Sequence, residues 1–137
     1  MQDFREDEKK NHYRIMLVED DTTITRVLKR QLERWGYEVF DTVDFDRVME
    51  NFAKWKPDLV LMDIQMPVMN GYEATATIRA GESDYWKTIP VIAMTANVFQ
   101  EDESRAAECG MSDYVTKPID MNVIYSVLEK WLRGQKG

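Results

Sequence analysis

Three apolar blocks of four residues, Ile15-Met16-Leu17-Val18, Leu59-Val60-Leu61-Met62 and Val91-Ile92-Ala93-Met94, contain no polar alternation and stop at Glu19, Asp63 and Thr95. A strand that is apolar on both faces needs cover on both, as an inner strand of a parallel sheet has when helices lie above and below it. Between the blocks the period changes. Ile24, Val27, Leu28, Leu32 and Trp35 share one helical face behind Asp20 or Asp21 as a cap, and Gly36 stands where a left-handed turn would end the helix. Glu38-Val39-Phe40 is short and mixed, as an edge strand is, and Phe45, Val48, Met49 and Phe52 repeat the helical spacing until Pro57. After Pro67 and Asn70-Gly71 a helix is expected from Tyr72 to Ala80, then a polar connection with Gly81, Ser83 and Asp84 that leaves Trp86 in a loop. A helix from about Phe99 to Cys109, a strand from Asp113 to Val115 and a last helix burying Val123, Ile124, Val127, Leu128 and Trp131 complete the pattern.

Five strands and five helices in strict alternation imply an α/β fold, a doubly wound parallel sheet sandwiched by helices in three layers. With 137 residues there is room for one domain, expected over 13–134 between a polar tail at 1–12 and a frayed end at 135–137. Hydrophobic residues at 44% supply a core, but no apolar stretch reaches the length of a membrane span, and the polar start is unlike a signal peptide. The single Cys109 forms no internal disulfide, which fits reducing surroundings, and the expected location is cytoplasmic. A net charge of −7 opposes direct binding to nucleic acid, whose affinity comes from cations that release counterions.

In a parallel sheet every strand delivers its carboxyl end to the same edge, where ligands collect. Those ends carry Glu19 and Asp20, then Asp63, Thr95 and Lys117. Three carboxylates converging on one place repel one another unless a cation neutralises them. An all-oxygen set without imidazole or thiolate selects Mg²⁺, with Mn²⁺ as the possible substitute. A metal, a hydroxyl and an ammonium around a carboxylate describe phosphoryl transfer to that carboxylate, with the charge on the moving group neutralised in place. Asp63 is the natural acceptor, because it stands alone at the end of an inner strand while Glu19 and Asp20 form a pair suited to an ion. Taken singly, Asp20 or Asp21 reads as a helix cap, Thr95 as the start of a turn and Lys117 as a solvated cation. Asp63 resists such a reading, since no helix starts directly after it and a bare carboxylate beside Leu61 and Met62 is costly to bury.

Val18-Glu19-Asp20-Asp21, Leu61-Met62-Asp63-Ile64-Gln65-Met66-Pro67 with Asn70-Gly71, Met94-Thr95-Ala96 and Asp113-Tyr114-Val115-Thr116-Lys117-Pro118 occur in an order and spacing that resembles the response regulator receiver domains of two-component signalling. The motif style is most similar to receivers of hybrid histidine kinases. The resemblance implies a flavodoxin-like, chemotaxis-regulator-like sheet of order 2-1-3-4-5 and an Asp63 that takes phosphate from a phosphohistidine. It implies Mg²⁺ held by Asp20 and Asp63 directly, by Glu19 through water and by the backbone carbonyl of Gln65. Lys117 would bind phosphate, Thr95 and Tyr114 would form a switch pair, and Pro118 would follow a cis bond. Gln65 and Asn97 would border the path of attacking water. The implied role is a switch rather than a turnover enzyme, with slow autodephosphorylation only. Its partners would be a histidine kinase or phosphotransfer protein and a downstream protein bound through helix 4, strand 5 and helix 5, with a homodimer formed on phosphorylation also compatible.

Competing chemistries meet specific obstacles. A haloacid dehalogenase-type phosphatase needs a second aspartate where Gln65 stands, and a flavin carrier needs a phosphate loop where Glu19-Asp20-Asp21 would repel one. A receiver-like binding module without phosphorylation would be expected to lack some member of the acceptor set. His12, in the polar tail, lacks the helical bundle face a phosphohistidine relay uses.

Overall fold

The computed structural model describes residues 13–66, 70–96 and 100–133, so the expectations on the tail with His12, on Pro67, on Asn97 and Phe99 and on the frayed end lie outside the described residues. In chain order the elements are β1 (Arg14–Val18), α1 (Thr22–Arg34), β2 (Glu38–Thr42), α2 (Phe45–Trp55), β3 (Leu59–Asp63), α3 (Gly71–Arg79), α4 (Asp84–Thr88), β4 (Val91–Thr95), α5 (Gln100–Glu108), β5 (Asp113–Thr116) and α6 (Met121–Leu128), which runs into a π-helical turn, Glu129–Arg133. All strand pairs are parallel and the order is β2-β1-β3-β4-β5.

Alternate residues of each inner strand serve opposite layers, because successive side chains leave a strand on opposite faces. Met16, Val18, Val60, Met62, Val91 and Ala93 meet Val48 and Phe52 of α2, Ala74 and Ile78 of α3 and Ala106 of α5. Ile15, Leu17, Leu59, Leu61, Ile92 and Met94 meet Leu28 and Leu32 of α1 and Ile124 and Leu128 of α6. Full cover on both sides is what the unalternated blocks required, and β3 and β4 are buried along their whole length.

The structure contains a sixth helix that the sequence pattern did not show. Five residues, Asp84–Thr88, are too few for a helical period to register. Long-range packing holds the turn: the Trp86 ring lies 4.5 Å from that of Phe52, and the Tyr85 hydroxyl donates to the Pro57 carbonyl. Trp86 is therefore a partly buried neighbour of the core rather than a loop residue. Two valines counted as core are not: Val27 is 52% exposed and Val123 46%. Each lies at the margin of its helix's apolar stripe, so the sheet is reached by Leu28 and Ile124 instead.

Local chemistry sets where the site-bearing loops turn. Asp21 is the cap of α1, its carboxylate accepting from the Thr23 and Ile24 N–H groups at 2.9 and 3.1 Å, and Asp20 is left out of that role. Gly36, at φ 98°, follows α1 in the left-handed region. Asn70 caps α3 through the Tyr72 N–H at 2.8 Å. Gly71 is required by contact: a Cβ there would sit 2.8 Å from the Asp63 carbonyl oxygen and 2.9 Å from the Ile64 Cα. The start of α3 thus abuts the backbone that carries Asp63. Among the described residues no helix is long and apolar enough to cross a membrane.

Candidate functional site

The parallel register stacks the strand ends in one row, with Val18 beside Met62, Asp63 beside Met94 and Thr95 beside Thr116. One residue further along lie Glu19 and Lys117, and Lys117 N–H is fixed by the Thr95 carbonyl at 2.7 Å. The Lys117-Pro118 peptide bond is cis.

Glu19, Asp20 and Asp63 each offer a carboxylate oxygen, and these oxygens lie within 4.8 Å of one another. Glu19 and Asp63 are buried and Asp20 is exposed, so the cluster is walled on the protein side and open to water at Asp20. Lys117 Nζ stands between the two buried acids, 3.0 Å from Glu19 Oε1 and 3.2 Å from Asp63 Oδ2. Asp63 Oδ1 accepts from the Gln65 N–H at 2.9 Å.

The charge balance is incomplete. Burial pushes the Glu19 carboxyl up to about 7, against the opposing effect of the Asp21 N–H it accepts, with Asp63 pushing the same way as burial. Its Oε1 is buried and accepts no hydrogen bond among the described residues, leaving the nearby ammonium as its compensation. Burial disfavours the Lys117 charge, but Glu19 and Asp63 outweigh it and raise the ammonium's pKa. One cation beside three carboxylates leaves negative charge to be met, and an all-oxygen donor set with an under-satisfied buried oxygen fits a small hard divalent ion. Asp20 and Asp63 would supply its side-chain ligands, with Glu19 close enough to hold it through water.

Thr95 lies at the same edge, 3% exposed, at the end of β4. Tyr114, on β5, is 37% exposed and lies beside Ala93 in the register, so its ring is on the outer surface of this conformation. Gln65 stands at the rim, and its side chain is engaged: Oε1 accepts from the Ala96 N–H at 2.9 Å. That bond joins positions 31 apart in sequence, and no local pattern could have shown it. Arg79 also had no sequence signal. Its guanidinium donates to the Gly110 carbonyl at 2.8 Å, the Trp86 carbonyl at 3.1 Å and the Ser112 hydroxyl at 3.3 Å, tying α3, α4 and the turn before β5 together.

Comparison with known proteins gives a consistent result. Residues 15–129 match the family model described as response regulator receiver domain. The chain is 32% identical over 88% of its length to the sensory transduction protein BceR of Halalkalibacterium halodurans, of which it covers 50%. It is 34% identical over 84% of its length to hybrid signal transduction histidine kinase I of Dictyostelium discoideum, of which it covers 7%. The chain thus spans half or less of these relatives. Among solved structures, the receiver domain of the sensor histidine kinase PA1611 from Pseudomonas aeruginosa, with a magnesium ion coordinated in its active-site cleft, superposes with TM-score 0.78 at 33% identity, covering 88% of this chain and 97% of that one.

Proposed function

The chain belongs to the response regulator receiver family, and from that premise we propose that residues 13–134 act as a phosphoacceptor switch, in which Asp63 takes a phosphoryl group from a phosphohistidine and the modified protein presents a changed surface to a partner. The observation that carries this reading is the Asp63 carboxylate, 1% exposed at the end of β3, gathered with two further acids and held by the Lys117 ammonium.

The step balances simply. An Asp63 carboxylate oxygen attacks phosphorus, the new P–O bond forms as the P–N bond of the phosphohistidine breaks, and the imidazole leaves with the electron pair and takes a proton from solvent. Lys117 faces the oxygens of the transferring group as a point charge, and the Thr95 hydroxyl donates to another. The Gln65 N–H keeps the Asp63 carboxylate in register with the edge. Mg²⁺, held by Asp20 and Asp63, by Glu19 through water and by the Gln65 backbone carbonyl, would neutralise charge on the phosphoryl oxygens. Mn²⁺ is the expected substitute.

The output follows from charge. A phosphoryl group at Asp63 adds negative charge and acceptor oxygens within reach of the Thr95 loop, and a two-state element of α5, β5 and α6 responds, with Tyr114 turning inward from its exposed position. A histidine kinase or phosphotransfer protein is the donor, and a downstream protein or a second copy of the chain is the receiver of the signal. The setting is cytoplasmic, no nucleic acid is bound directly, and the only turnover is slow loss of the phosphoryl group to water. Beryllofluoride, an unreactive phosphoryl mimic, tests the reading in the presence of Mg²⁺. Amide resonances along β4, β5 and α6 should move in the wild type and stay put in Asp63→Asn; a silent wild type sinks it.

A further inference from the structure

Gln65 uses its two ends differently. Its backbone N–H donates to Asp63 Oδ1 at 2.9 Å, while its side chain reaches across the sheet edge so that Oε1 accepts from the Ala96 N–H at 2.9 Å. A backbone N–H can only be met by the oxygen of a carboxamide, so the orientation of this side chain is settled by its partner. The register sets Asp63 beside Met94, and the Ile64 N–H donates to the Met94 carbonyl at 3.2 Å. Ala96 N–H is therefore a backbone donor at the same edge, directly after Thr95, the last residue of the strand neighbouring the acceptor's. Donors in that position are what an oxyanion added to Asp63 would meet.

We propose that the Gln65 carboxamide is an internal stand-in for a phosphoryl oxygen: it occupies the Ala96 N–H in the unmodified chain and is displaced from it when Asp63 carries the phosphoryl group. The inference rests on Asp63 as the acceptor and adds a regulatory contact to that site. The exchange runs forward because a charged phosphoryl oxygen is the stronger acceptor, whereas the carboxamide bond is neutral and holds a rim side chain at an entropic cost. Gln65 thereby lowers the affinity of the site for a phosphoryl-like anion by the worth of its own bond, and holds the Ala96 N–H until the anion arrives. A purely structural Gln65, placing the Ala96 N–H for binding, would act with the opposite sign.

The test titrates the full chain, with Mg²⁺ present, with beryllofluoride and follows amide resonances in the wild type, Gln65→Ala, Gln65→Met and Gln65→Glu. None of these changes alters the backbone carbonyl. Gln65→Met keeps the length of the side chain without its acceptor, so it separates the hydrogen bond from bulk. Gln65→Ala and Gln65→Met should bind about fivefold more tightly than wild type, the worth of one neutral hydrogen bond. Gln65→Glu, a stronger and charged occupant, should bind more weakly. In the unmodified protein the Ala96 amide should exchange with solvent more slowly in wild type than in Gln65→Ala. Equal or weaker binding by both acceptor-less variants, or an Ala96 exchange rate indifferent to residue 65, overturns the proposal. A wild type that ignores beryllofluoride removes the acceptor reading and this inference with it, whereas a responding wild type with unchanged variants removes this inference alone.

Discussion

Lys117 Nζ lies 3.2 Å from Asp63 Oδ2, a contact made across 54 residues of sequence by the ends of β3 and β5. The same ammonium is 3.0 Å from Glu19 Oε1, so a single cation holds two buried carboxylates of a cluster of three. Removing it leaves like charges facing one another with little water to screen them. Lys117→Ala should lower stability in metal-free buffer at pH 8 by about 3 kcal/mol, the lower end of what breaking a buried pair costs, read by urea denaturation. Added Mg²⁺ should restore most of that stability, since it supplies positive charge to the same oxygens. It should not restore phosphoryl acceptance, since in the proposed step the ammonium faces the transferring group. A loss of stability that Mg²⁺ leaves untouched would show that Lys117 acts through packing instead.

The Glu19 carboxyl sets the pH behaviour. Its pKa in the folded protein, about 7, lies above its ordinary value of 4.5, so between those values the folded chain keeps a proton the unfolded chain has released. Without metal, stability should therefore fall as pH rises through that window and level off above it, by about 3 kcal/mol at most. Mg²⁺ competes with the same proton, so its apparent affinity should weaken as pH drops below about 7, approaching tenfold per unit when one proton leaves per ion bound. Calorimetric titration at several pH values in buffers of differing ionisation enthalpy checks both the slope and the proton count. A metal affinity flat from pH 5.5 to 8 would contradict it.

At Gly71 the margin is steric. Alanine is the better helix former by up to about 1 kcal/mol, yet its Cβ would meet the Asp63 carbonyl oxygen at 2.8 Å and the Ile64 Cα at 2.9 Å, both backbone atoms. Overpacking of this kind costs about 1–3 kcal/mol, so Gly71→Ala should destabilise despite its propensity. Because the displaced backbone carries Asp63, the rate of phosphorylation by acetyl phosphate should fall as well. A stabilised Gly71→Ala protein with an unchanged rate would refute the contact argument.

Arg79 donates to three acceptors on two segments, α4 and the turn before β5, so its loss uncovers two carbonyls and a hydroxyl at once. Arg79→Ala should cost about 2–3 kcal/mol and loosen α4 and the turn at Gly110, seen as faster amide exchange there. Arg79→Lys should rescue little, because one ammonium cannot span the three directions of the planar fork.

How much of this was readable from sequence depends on the range of the interaction that decides each feature. The inner strands announced themselves, since unalternated blocks such as Leu59-Val60-Leu61-Met62 have few other solutions, and the strand-end residues followed from the parallel edge. The sequence pattern shows β2 only as far as Phe40, but the strand continues to Thr42, because pairing of Asp41 with Leu17 and Thr42 with Val18 extends it and Lys29 meets the Asp41 charge at 2.9 Å. The strand order came through family resemblance rather than periodicity. The α4 turn, the Gln65 bond to Ala96 and the Arg79 fork depend on partners distant in sequence, and no window of neighbouring residues carries them. The exposure of Val27 and Val123 is not legible in sequence, because a hydrophobic residue at the margin of a stripe looks there like one at its centre.

Phosphoryl transfer to Asp63 is read from the intact mass of the chain after incubation with Mg²⁺ and a phosphohistidine donor, either a phosphorylated histidine kinase or its phosphotransfer domain. One phosphoryl group should be added, labile to hydroxylamine as an acyl phosphate is, and absent from Asp63→Asn. A chain that stays unmodified with a donor competent toward other receivers, or one that is still phosphorylated when Asp63 is replaced, would contradict it.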